Sequence, residues 1–178
     1  MSETLTVYFV SKTGHVLGAV GRIADATQES PQQTPSLESV LVRGLEQEPA
    51  TEILVPAAEL STLVLPPNPD LLLNPLAFQV PARGNGVQLL NEDLVVSGIT
   101  LSDRKVTVAL GADLTQAEAV WVLITGGALK VPLVANGTIP AGKFSIDLTI
   151  GPLAPGTYQS LVLVREHQPF VQTDTIQS

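Results

Sequence analysis

The run Phe144, Ser145, Ile146, Asp147, Leu148, Thr149, Ile150 alternates apolar and polar side chains without a break. Successive side chains of a strand point to opposite faces of its sheet, so this period of two describes a strand with one face in a core and the other in solvent. Val106, Val108 and Leu110 repeat the pattern, while Ala119 to Ile124 is apolar on both parities, as in a central strand covered on both faces. Gly111, Gly126 with Gly127, Asn136 with Gly137, Ala141 with Gly142, and Pro155 with Gly156 fall between these runs as turn signals. Short strands at such spacing predict a sandwich or barrel. Its expected core includes Trp121, Tyr158, Phe144, Ile146 and Leu148.

Working back toward the N-terminus, Leu5 to Val10 and His15 to Val20 are β-rich runs joined by Ser11, Lys12, Thr13 and Gly14, which suits a hairpin. Ala24 to Ser36 offers almost nothing to bury and reads as a solvated loop, dispensable for folding over Gln28 to Pro35. Leu37 to Leu45 is open between a short helix, which Ser36 could cap, and a strand, which Val40 and Val42 favour. Glu52 to Val55 and Thr62 to Leu65 form another expected pair. The prolines from Pro66 to Pro75 suggest a stiff connector. The expected organisation is therefore an all-β chain with a small β-rich domain over residues 1–66, a connector over 67–75 and a sandwich over 76–178, unless both halves belong to one larger sandwich.

Within the last part, Leu153, Ala154, Pro155, Gly156, Thr157 and Tyr158, followed by Gln159 to Val164, resemble the entry to a late strand common in immunoglobulin-like bacterial β-sandwiches. The resemblance spans roughly Phe78 to Ile176. It implies that Tyr158 is a tyrosine-corner residue and Trp121 the buried tryptophan of the third strand. The paired cysteines of antibody-type domains are missing, and such sandwiches host many functions, so no functional residue is carried over.

Composition narrows the function. Hydrophobic residues make up 44% of the 178 residues but aromatic residues only 4%, so the core must be built mainly from Val, Leu, Ile and Ala. Charged residues are 15%, against about 25% in ordinary globular chains, and mean hydropathy is +0.30. Uncharged surface is then unavoidable: either Thr, Ser, Gln and Pro, or an apolar patch for a partner. A net charge of −8 argues against nucleic acid, whose binding releases counterions through clustered Lys and Arg. Anionic membranes are disfavoured for the same reason. The most apolar stretch, Ala119 to Ala135, is interrupted by Gly126, Gly127, Lys130 and Pro132, short of the ~20 apolar residues a spanning helix needs. Absent cysteine and an N-terminus with Glu3 where a signal peptide carries positive charge lead us to expect a cytoplasmic protein.

No constellation of residues argues for catalysis, a cofactor or a bound metal. Gly137, Gly142 and Lys143 nearly complete a phosphate-binding loop, but Phe144 replaces its hydroxyl residue and a strand pattern follows where a helix is required. His15 and His167 read as exposed or structural. Glu92 with Asp93, and Asp103, read as solvated turn carboxylates, with Ca²⁺ binding the sharper alternative. Asn136, Gly137 and Thr138 match a glycosylation acceptor but read more simply as a tight turn. The expectation is a non-enzymatic structural or adaptor subunit whose partner is protein, as a homo-oligomer or larger assembly. The alternative is a surface ligand-binding or adhesion module. The hairpin is apolar on both parities with no Lys or Glu guarding its edge, so Leu5, Val7, Tyr8, Phe9, Val16, Leu17 and Val20 are the expected interface, with cover from the C-terminal half as the intramolecular alternative.

Overall fold

Both halves of the chain are built from antiparallel strands in the computed structural model, which describes residues 2–24, 39–42 and 53–177. Contacts gather into two compact units, Met1–Leu89 and Leu90–Ser178. The expected loop over Gln28 to Pro35, and all of Leu37 to Leu45 but residues 39–42, lie outside the described residues.

In the first unit β1 (Ser2–Val10) is the central strand, paired antiparallel with β2 (Val16–Ala24) on one side and with β5 (Leu60–Leu65) on the other. A separate two-stranded ribbon joins β3 (Ser39–Val42) to β4 (Ile53–Pro56), so the Val40 and Val42 preference for β structure prevails there. The β1–β2 turn depends on Gly14, whose N–H donates to the Val10 carbonyl at 2.8 Å. Its φ of 85° lies in the left-handed region, and a Cβ there would strike the carbonyl oxygen of Val80.

Residues 67–75, expected as a connector, hold the helix α1 (Pro69–Leu73) instead. The prolines do not forbid it, because Pro69 occupies the first turn, where no N–H is needed, and the Asn68 side chain caps the N–H of Asp70 at 3.0 Å. The helix turns Leu71 into a core with Leu5, Val7, Val16 and Phe78. Phe78 opens β6 (Phe78–Gln79), which pairs with β7 (Gln88–Leu89). Residues 67–89 therefore belong to the first unit, which ends later than the expected boundary at residue 66.

The second unit is a sandwich. One sheet has the order β11 (Leu133–Ile139), β10 (Glu118–Gly126), β13 (Gly156–Val164), β14 (Phe170–Ile176). The other has the order β12 (Ser145–Thr149), β9 (Lys105–Leu110), β8 (Val96–Leu101). Val106, Val108 and Leu110 from the smaller sheet share one core with Val120, Val122, Ile124, Val162 and Val164 from the larger. The sheets also approach at both margins. Gln172 of β14 donates to the Ile99 carbonyl of β8 at 3.3 Å, and Gly137 of β11 lies against Ile146 and Leu148 of β12.

The expected core residues divide. Tyr158 and Leu148 are buried in the shared core, and Ile146 packs partly buried against it. Trp121 is fully buried but lies on the opposite face of β10, with Leu123 and, on β13, Leu161 and Leu163, so it shares no core with Tyr158. The apolar pattern on both parities of β10 thus matches burial on both. Phe144 is 51% exposed at the margin of the sheet: the register of β12 with β9 starts at Ser145 paired with Ala109, and the Phe144 carbonyl takes one further bond from Leu110 N at 2.7 Å. Asn136 and Gly137 are paired strand residues rather than a turn, which comes at Pro140 to Lys143.

Candidate functional site

Two places carry features that core packing does not use. The first is the three-stranded sheet. Thr6 of β1 stands opposite Val20 of β2 and opposite Val64 of β5, so these side chains form one row across the sheet. Val20 is 50% and Val64 62% exposed. The other expected interface residues are not available: Leu5, Val7 and Val16 are in the unit's own core, Phe9 packs partly buried against it, and Tyr8 and Leu17 are buried. Folding of residues 67–89 over one face of the sheet explains the first four. Among the described residues β5 pairs with β1 alone, and its sequence, Leu60, Ser61, Thr62, Leu63, Val64, Leu65, has no charge or proline to discourage a further strand.

The second is a cavity of about 340 Å³ at one end of the sandwich. It forms where the β9–β10 connection, the β13–β14 hairpin and the segment before β8 converge. Backbone bonds set these pieces: Gln168 N donates to the Leu94 carbonyl at 2.7 Å, Arg165 N to Ala119 at 2.9 Å and His167 N to Val164 at 2.9 Å. The hairpin puts Glu166 at φ 66°, uncommon outside glycine.

Asp93, Asp113, Glu118, Glu166 and His167 line the cavity, as do Leu94, Val95, Leu110 and Leu114. Glu118 is only 3% exposed and His167 5%. Gln116 Nε2 donates to Glu118 Oε1 at 2.8 Å, and His167 Nδ1 lies 2.9 Å from the Arg165 carbonyl. Burial pushes the Glu118 carboxyl above its ordinary range, and the Glu166 charge adds to this. The Gln116 hydrogen bond and the charges of Arg165 and His167 act in the opposite direction. Among the described residues no three His, Asp or Glu side chains are grouped to hold a metal ion.

Sequence reasoning did not select Glu118, Asp113 or Glu166. One signal was available: Glu118 is a lone acid at the head of a strand otherwise apolar on both parities. Of the two readings open for His15 and His167, exposed or structural, the exposed one fails for both, since both are buried. Asp93 reaches the cavity, whereas Asp103 sits 3.8 Å from Arg104 and its carbonyl accepts from Leu153 N. Gly142 and Lys143 lie in the turn before β12, with no helix after them. No helix among the described residues is long and apolar enough to cross a membrane.

No family model matches the chain, and no curated protein matches it. Among solved structures it is similar to a crystal structure of a candidate lipoprotein from Bacillus anthracis. That likeness has 9% identity and a TM-score of 0.31, and it covers 56% of this chain and 77% of the other. A likeness at that level carries no argument about function.

Proposed function

We propose that the protein is a non-enzymatic structural or adaptor subunit of a protein assembly, joined to its partner through β surfaces. The observation that carries this reading is the row in which exposed Val20 and Val64 flank half-buried Thr6, ending on the uncharged β5 edge. An open strand edge is a template for pairing with another chain, and folded proteins ordinarily blunt it with charge, proline or a bulge. Low overall charge and further exposed apolar residues in the same unit, Leu72, Leu73 and Leu89, favour the same reading. We take the partner to be a second copy. Sedimentation velocity across micromolar concentrations tests this: the wild type should exceed 18.7 kDa, and Val64→Lys should return it to the monomer. A wild type that stays monomeric throughout would sink the self-assembly reading.

We further assign the second unit to the immunoglobulin-like sandwiches. The four-and-three strand order supports this, as does the Tyr158 hydroxyl donating to the Ala154 carbonyl at 2.7 Å, four residues upstream, as a tyrosine corner requires. Trp121 departs from the pattern by facing away from the shared core. The cavity favours a second functional reading, as a ligand-binding module.

A further inference from the structure

We propose that Asn85 is a site of spontaneous covalent modification, where the folded protein exchanges a side-chain amide for a carboxylate through a cyclic imide formed with Gly86. In this reaction the backbone nitrogen of the following residue attacks the asparagine Cγ. A C–N bond forms, the bond from Cγ to the side-chain nitrogen breaks, and that nitrogen leaves as ammonia with the proton of the attacking amide. Water then opens the imide at either carbonyl, giving aspartate or isoaspartate. The chain must therefore supply a following N–H, room around it, and a backbone free to fold back on the side chain.

The chain has five asparagines, and these requirements sort them. Asn68 and Asn74 precede Pro69 and Pro75, which have no N–H. Asn91 precedes Glu92, whose side chain crowds the nitrogen, and Asn91 Oδ1 accepts from Asp93 N at 3.0 Å. Asn85 and Asn136 are each followed by glycine, which has no side chain to obstruct attack. The fold separates these two. Asn136 and Gly137 lie inside β11, paired with Trp121 and Val120 of β10, and Gly137 lies against Ile146 and Leu148. Folding Asn136 back on the next nitrogen would break that extended ladder. Asn85 is instead exposed in the irregular connection from β6 to β7. Among the described residues no backbone hydrogen bond holds Gly86 N, and a Cβ on Gly86 would meet nothing within 4 Å. The connection is anchored on both sides, since Val80 N donates to the Gly14 carbonyl at 2.8 Å and both Val80 and Val87 pack against the first unit's core. The reaction therefore alters the tip and leaves the sheet intact, so the product accumulates in folded protein. Each conversion adds one negative charge to a chain already at −8.

The test is incubation of the full folded chain at neutral and at mildly alkaline pH, followed by isoelectric focusing and by mass spectrometry of tryptic peptides. Cleavage after Arg83, Arg104, Lys130 and Lys143 puts Asn85 and Asn136 in different peptides, and fragmentation separates Asn85 from Asn91. Asn85 should convert to aspartate and isoaspartate about tenfold or more faster than Asn136, as a modest difference in barrier implies. Conversion should quicken at the higher pH, because the attacking nitrogen must shed its proton, and an acidic species should grow in step with it. Gly86→Val places its side chain in open space and should slow Asn85 by about tenfold or more with the melting temperature unchanged. In denaturant the two sites should converge, since no ladder then protects Asn136. If Gly86→Val does not fold, the ratio of the two sites in the folded and the unfolded wild type decides. An intact Asn85 after weeks at mildly alkaline pH, equal or faster conversion of Asn136 in the folded chain, a gap that persists in denaturant, or an undiminished rate in folded Gly86→Val would each overturn the inference.

Discussion

The sandwich and the N-terminal sheet handle their edges differently. In the sandwich the margins of the two sheets approach each other, β8 near β14 and β11 near β12, so each edge is shielded by the opposite sheet. In the N-terminal sheet β5 ends in Leu63, Val64 and Leu65 and pairs, among the described residues, with β1 alone. Both regions are made from the same small aliphatic residues. Composition therefore does not distinguish a closed core from an open edge, and pairing does: two facing sheets can shield each other's margins, while β5 has, among the described residues, no strand on its outer side.

The sharpest way to break this contrast is in the closed region. Trp121→Ala removes the largest fully buried side chain and should cost about 3–5 kcal/mol in denaturant unfolding. A cost under about 1 kcal/mol would mean that this face of β10 is not tightly packed.

A smaller effect is expected where the sandwich turns. Gly127 has φ 54°, and a Cβ there would strike the ring of Tyr158, so Gly127→Ala combines backbone strain with a collision. It should lower stability by about 1–3 kcal/mol. Tyr158→Phe keeps the ring and removes only the bond to Ala154, for a loss of about 1 kcal/mol. If Tyr158→Phe costs more than Gly127→Ala in thermal melts, the turn is held by the hydroxyl rather than by the fit of ring against glycine.

The cavity sharpens the comparison through pH. Because burial raises the folded-state pKa of Glu118 above its unfolded value, the folded protein holds this proton more tightly. Stability from this group is present in acid and is lost as pH rises from the ordinary glutamate range through the raised folded value. Glu118→Gln should flatten that decline, measured as melting temperature against pH. An identical slope in the variant would assign the decline to other groups.

At the open edge the expected change in stability is smallest. Val64→Lys alters an exposed side chain and should shift stability by no more than about 0.5 kcal/mol while abolishing association. A large stability loss would show that Val64 is packed rather than presented.

Local pattern determined much of this protein without help from the fold. A period of two in Ile146, Leu148 and Ile150 and an apolar run on both parities at Ala119 to Ile124 are properties of contiguous residues, so all-β architecture was legible there. The Tyr158 turn was legible for the same reason, since its hydrogen bond closes over four residues. Tertiary structure alone decided which face a strand buries and where its ladder stops. That is why Phe144, in the same alternation as Leu148, is exposed, and why Trp121 lies on the face away from Tyr158. It also decided that Leu71 fills a core with Leu5 and Val7, which a row of prolines conceals. The cavity was the least legible feature, because Asp93 and Glu166 lie far along the chain from Asp113 and Glu118. They come to line one cavity only after the sheets have paired and the connecting segments have been drawn to one end of the sandwich.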